Sequence, residues 1–418
     1  MSERVEVAVI GAGQAGLAIS YYLTQQGRTH VVLDKHGEVG SAWRDGRWDS
    51  FTLVIPNWSV QLPGFPYRGD NPDGFMKRTE VVSHLEQYAS SFGAPVRFGV
   101  TVTAVDPVPR GSGYLVSTAE GDTYAAANVV VATGSFQFPR PTKLAEAFPP
   151  HIAHQHSSLY RNPDGLPPGA VLVVGSADTG SQLAEELYES GRQVYLCVGR
   201  SSRRPRRYRG KDFMFWAATL GAAEQTADQL PDPGARFAAN PHLTGKNGGY
   251  TLNLHHFARN GIVLLGRLVG VHGDTVVLAP DLRENLAFAD KGSDDFKNNV
   301  DAFVRDTGMD VPPPQPDPID EVRSDAGENA PTTLDLQAAG ITSVIWANGY
   351  GFDYSWVHLP VLDAWGFPIQ RRGVTNFPGL YFLGMNLLHS RKSGILFGVG
   401  EDAAHVAAEI AATNRSIT

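Results

Sequence analysis

The sequence predicts an α/β protein made of two βαβ nucleotide-binding units, the second inserted into the first. Three observations predict it. An apolar strand runs into a glycine-rich turn at 5–16, the same grammar returns at 171–180, and a strand-rich tail follows a Pro- and Asp-rich break at 310–331.

Residues 5–10 (VEVAVI) are apolar and β-branched without a polar alternate face, as a parallel strand covered on both sides requires. Residues 15–26 read as a helix stopped by Gly27, and 29–33 as the next strand, which closes a βαβ unit. Residues 96–131 alternate apolar and polar positions between Gly and Pro breaks, a meander ending in the buried strand NVVVA. RNPDGLPPGA at 161–170 reads as a linker. Beyond it come VLVV, a helix over 179–190, Gly191 and VYLCV, a second unit of the same kind. VPPPQPDPID reads as an exposed polyproline segment before the chain returns. The expected division is 1–165 and 336–418 for one Rossmann-like domain and 166–335 for the inserted one.

With 418 residues the chain has ample sequence for two or three cores. A net charge of -8 gives no global field for nucleic acid or an anionic membrane. The single cysteine, Cys197, excludes an internal disulfide and the paired thiols of disulfide reductases. No run approaches the roughly 18 apolar residues needed to cross a bilayer, and the start carries no signal-peptide pattern. A cytoplasmic protein is expected, with a homodimer as the default assembly.

Gly11, Gly13 and Gly16 form GxGxxG directly after a strand, and Asp34 closes the next strand. Gly11 permits the tight turn, Gly13 removes a Cβ from the path of a pyrophosphate, and Gly16 lets helix and strand pack. Asp34 accepts from a ribose diol and repels a 2′-phosphate, so the ligand is FAD or NAD rather than NADP. In the second loop Gly175 and Gly180 enclose Ala177 and Asp178. Ala177 crowds a pyrophosphate, while Asp178 suits the helix dipole but sets an anion beside the phosphates. Arg200, Arg203 and Arg204 stand where an NAD site carries an acid, which suits the 2′-phosphate of NADPH. Arg200 is the foremost candidate among them.

Both glycine loops, VVVATG (129–134), HSSLY (156–160), WANGY (346–350) and GLYFLGMNLLHSRKSG (379–394) make the chain resemble the class B flavin monooxygenases, in a bacterial single-chain branch. The resemblance covers nearly the whole chain. It implies FAD and NADPH as cofactors, with an FAD domain split by an NADPH domain. It sets Trp43 beside the flavin, Val102 against adenine, Thr133 and Gly134 at the FAD crossover, Gly384 near the ribityl phosphate and the turn ending at Ile395 near the flavin ring. Phe148, His156 and Tyr160 partly match the family's linker motif, with Pro150 in place of its glycine. Val54 stands where many members carry an asparagine, and Asn57 is either its substitute or a turn residue. Arg391 and Lys392 either stabilise reduced flavin or tie the C-terminal segment to an acidic neighbour.

The reaction the resemblance implies is hydride transfer from NADPH to FAD, then reaction with O2 to a C4a-(hydro)peroxyflavin that oxidises a small organic substrate. A dry site is required, and the aromatic runs at 43–51 and 213–221 are its candidate walls. An NADPH oxidase or flavin dehydrogenase is the alternative. The spacing of His151, His154 and His156 fits no common metal site.

Overall fold

The computed structural model describes residues 2–109, 111–140, 142–230 and 232–413. Strand Ser2–Ile10 lies at the centre of the first sheet, parallel to His30–Asp34 on one side and to Thr123–Val131 on the other. Its position explains the unbroken apolar run, since Val7 and Val9 are both fully buried. Val96–Phe98 extends the sheet beyond His30–Asp34. The meander is Val102–Pro107, Tyr114–Thr118 and Thr123–Val131, antiparallel throughout. From the chain's far end, Leu380–Phe382 pairs parallel with Thr123–Val131. Helix Val399–Thr413 packs on Gln14–Gln25, so the tail completes the first unit.

The second sheet is parallel, in the order Ala153–His156, Ile341–Trp346, Ala170–Val174, Val194–Cys197, Val263–Leu265. Two of these strands lie outside the expected 166–335. Ile341–Trp346 takes an interior place between Ala153–His156 and Ala170–Val174, where Val344 and Ile345 are buried. The chain therefore leaves the first unit before Ala153 and returns after Trp346.

Helix Leu282–Thr307 is long and was not evident in the sequence, because Gly292 and Ser293 interrupt its middle. Its buried stripe includes Leu286, Ala289, Phe296 and Val300, and Gly308 at φ 67° ends it. Gly292 lets the helix pass close to the 202–204 segment, since a Cβ there would lie 2.8 Å from Ser202 Cβ. The segment 311–318 forms no helix or strand and is mostly exposed, as its prolines predict.

Candidate dinucleotide and active site

The first glycine loop is a close fit of backbone on backbone. Gly11 has φ +106°, and a Cβ on it would lie 2.7 Å from Ala132 O. One on Gly16 would lie 1.8 Å from Gly11 O. Around Gly13 nothing lies within 4 Å of a built Cβ. Its φ of -78° suits any residue, so the missing side chain serves the space ahead of helix Gln14–Gln25. A helix start carries first-turn N–H groups without intrahelical acceptors, the donors an anion needs. This cradle and the neighbouring acid fit the pyrophosphate and ribose of a dinucleotide.

Asp34 Oδ2 accepts the Ala12 N–H at 2.6 Å, and Oδ1 accepts the His36 N–H at 2.9 Å. Burial works against its charge, but hydrogen bonds from His36 and Ala12 outweigh it and hold Asp34 below the usual carboxylate range. Residues from the far end of the chain gather on the same loop. A Cβ on Gly384 would lie 2.4 Å from Ala15 Cβ, and Gln14 Nε2 donates to Gly394 O at 2.8 Å. Ile395 closes that turn through Lys392 O. Thr133 and Gly134 follow Ala132 and are crosslinked by Gln137 Nε2, 3.0 Å from each acceptor. Trp43 lies in the short helix Ser41–Arg44, its ring 5.9 Å from that of Phe51. Val102 opens the meander, half-buried and opposite Thr118.

The second loop repeats this construction with Ala347 in the part of Ala132. A Cβ on Gly175, at φ +106°, would lie 2.5 Å from Ala347 O, and one on Gly180 1.8 Å from Gly175 O. The WANGY turn therefore backs the second loop as ATG backs the first. Ala177 has φ -66° and ψ -170°, close to the -78° and -174° of Gly13. Its methyl is unstrained and points into the space that the first loop leaves open.

A strap at 240–244, absent from the sequence reading, lines this loop. Ser201 Oγ donates to Asn240 O at 2.6 Å, His242 N to Ser202 O at 2.8 Å, and Gln182 Nε2 to Leu243 O at 2.7 Å. Asp178 Oδ1 accepts from Leu243 N at 3.2 Å. Burial pushes the Asp178 carboxyl up to about 7, opposed by the Leu243 N–H, the Asn240 side chain and Arg206.

The three arginines separate. Arg200 is exposed, its guanidinium 4.4 Å over the Phe288 ring and beside the second loop's strand end. Arg203 is buried, bonded to Asp290 at 2.6 Å and to Asp320, and so is committed to the frame rather than to a phosphate. Arg204 is half-buried, donating to Arg203 O at 2.8 Å, and burial lowers its pKa. Arg206 chelates Asp212 at 2.5 and 2.8 Å and reaches Val54 O at 2.8 Å, tying the second unit to the first.

Three catalytic expectations meet a structural occupation. Asn57 is buried; its Nδ2 donates to Asn71 O at 2.9 Å and its Oδ1 accepts Met76 N at 2.8 Å. Its amide pins the 71–76 loop at both ends. Lys392 is buried against Glu401 at 2.6 Å and Glu224, the contacts that the tying role calls for. Arg391 Nε donates to Gln225 Oε1 at 2.7 Å, again holding the tail. Of the proposed walls, Trp216 is fully buried core with Phe296 and Val300. His156 uses both ring nitrogens, on Ser158 Oγ and Gly349 O.

A pyridine nucleotide-disulphide oxidoreductase family model matches residues 8–214. An uncharacterized oxidoreductase, CzcO-like, of Geobacillus kaustophilus is 32% identical over 98% of this chain and 99% of its own. The chain belongs to the family of that CzcO-like oxidoreductase. It shares the fold of a flavin-containing monooxygenase from Stenotrophomonas maltophilia, with TM-score 0.67 and 18% identity over 99% of this chain and 100% of that one. OTEMO, solved in complex with FAD and NADP, superposes with TM-score 0.58 and 15% identity over 99% and 86%. The protein is accordingly an oxidoreductase by family, built on the two-unit fold of the flavin monooxygenases. Its only cysteine, Cys197, is buried, so dithiol chemistry has no place in it. Among the described residues no helix is long and apolar enough to cross a membrane.

Proposed function

We propose that this CzcO-like oxidoreductase uses NADPH and FAD to transfer one atom of O2 to a small organic substrate, the other leaving as water. The observation that carries the reading is the duplicated glycine loop, each copy closed on the carbonyl of a neighbouring strand end, Ala132 and Ala347. Gly11, Gly13, Gly16 and Asp34 hold FAD, with Thr133, Gly134, Gly384 and Ile395 around it. Gly175, Gly180 and Arg200 hold NADPH. Bound FAD supplies hydride acceptance and, once reduced, reaction with O2. The protein's own part is to align the two nucleotides and keep water out.

A second reading, an NADPH oxidase, is favoured by one observation. Val54 lacks an amide side chain, and the Asn57 amide is held at both ends by the 71–76 loop. The two readings separate under 18O2. A monooxygenase bleaches its flavin with NADPH under argon, then consumes more oxygen than it releases as peroxide and places 18O in the product. Peroxide release equal to oxygen uptake with every substrate tried would decide for the oxidase.

A further inference from the structure

Arg47 is a cation in an aromatic cage, with no carboxylate paired to it among the described residues. Its guanidinium carbon lies 5.3 Å from the Trp43 ring centroid, 5.6 Å from Phe51 and 6.0 Å from Phe136. Its one hydrogen bond to the backbone is to Gly46 O, at 2.8 Å. Asp49, two residues on, is already taken by Arg78 and Asn162. Burial lowers the Arg47 pKa, and the group that opposes this is the Tyr350 hydroxyl, not a carboxylate. A partly buried guanidinium that no carboxylate neutralises is a ready partner for an anion.

Its position says where that anion lies. Phe136 follows the Thr133–Gly134 turn beside the first glycine loop, and Tyr350 follows the Ala347 turn beside the second. These rings touch, with centroids 5.1 Å apart, so Arg47 stands at the seam of the two units. The Arg47 carbonyl accepts from Arg161 Nη1 at 3.2 Å, which fixes the turn that presents it. A purely structural cage would bury its rings, yet Phe136 is 52% exposed. The cage is open on that side.

We propose that Arg47 anchors an oxyanion of a ligand lying across this seam, either the carboxylate of the organic substrate or a phosphate of NADPH. The inference rests on the monooxygenase reading for its ligands. A planar guanidinium held by stacked rings presents its fork to a two-oxygen anion, the geometry that makes such contacts strong.

The test compares FAD-loaded wild type, R47K and R47M. The first readout is the KM for NADPH in peroxide-forming turnover without organic substrate. The second is the effect on NADPH oxidation of phenylacetate against uncharged phenylacetamide. A rise in the KM of about tenfold in R47M, partly restored in R47K, assigns the anion to NADPH. An unchanged KM with loss of a wild-type preference for phenylacetate assigns it to the substrate. Values within twofold of wild type in both readouts overturn the proposal, whatever the melting temperature does. Should R47M not fold, R47K is read by the same limits, because a lysine keeps the charge over the rings but loses the fork. Failure of the underlying reading shows separately, as wild-type flavin that NADPH does not bleach under argon.

Discussion

The Asp178 carboxylate is tied to the Leu243 backbone N–H at 3.2 Å, joining the second glycine loop to the 240–244 strap. Burial raises this carboxyl to about 7 in the folded protein, from an ordinary 3.8. Between those values the folded chain holds a proton that the unfolded chain releases, so stability is full at low pH, falls as pH rises through this window and is level above it. Asp178→Asn keeps an oxygen for Leu243 and removes this slope. A phosphate at the same loop disfavours the ionised form further, so NADPH binds less well as pH rises through about 7. The expected result for D178N is a lower KM for NADPH, with its pH dependence flattened between about pH 6 and 8.

Gly13 and Gly16 differ in what a methyl would meet, and their alanine variants should fail differently. G13A folds normally, within about 1 kcal/mol of wild type, because its backbone suits alanine and the space is open. Its flavin retention falls steeply, as absorbance after gel filtration will report. G16A drives a Cβ to 1.8 Å from Gly11 O and loses about 3 kcal/mol before any ligand is added. Ala177→Gly is the converse and lowers the KM for NADPH. Equal flavin retention in G13A and wild type would remove Gly13 from the phosphate site.

The glycine spacing made both loops legible because the backbone contacts at Gly11, Gly16, Gly175 and Gly180 tolerate no side chain. The strands 5–10, 29–33 and 171–174 were legible in apolar runs that a covered sheet explains, whereas helix Leu282–Thr307 was not. Side-chain commitments were not. Arg203 and Arg200 look alike in sequence, yet one meets Asp290 and Asp320, acids 87 and 117 residues away, and the other meets none of them. Asn57 was equally opaque, since its partners Asn71 and Met76 are defined only once the loop has folded. The strap at 240–244 left no periodic pattern because backbone bonds to Ser201, Ser202 and Gln182 hold it.

Arg200 and Arg203 should therefore separate by experiment. Arg200→Ala leaves stability within about 0.5 kcal/mol, as an exposed substitution does. It raises the KM for NADPH about tenfold and that for NADH little, because only the 2′-phosphate contact is lost. Arg203→Met removes one cation from a buried network in which Asp290 keeps His255 and Arg323 and Asp320 keeps Lys297 and Ser293, and costs about 1–3 kcal/mol, read as denaturant midpoint. Its ratio of NADPH to NADH preference stays near that of wild type. A selective loss of NADPH in a fully stable R203M would return Arg203 to the cofactor site.

Asn57→Ala tests whether the loop amide belongs to the chemistry or to the frame. The substitution leaves the buried Met76 N–H without its acceptor, while the Asn71 carbonyl keeps the Gly74 N–H at 3.2 Å. The orphaned N–H costs about 1–3 kcal/mol, so the melting temperature drops clearly. Turnover per bound flavin, measured well below that melting temperature, should remain within about twofold of wild type, and the ratio of peroxide released to oxygen consumed should not move. Asn57→Asp sharpens the comparison. It keeps an acceptor for Met76 but turns a carboxylate oxygen toward the Asn71 carbonyl, so it is destabilised for a reason unconnected with oxygen chemistry. A role in steadying the oxygen adduct predicts the opposite pattern, in which N57A folds as wild type does while peroxide release rises to match oxygen uptake.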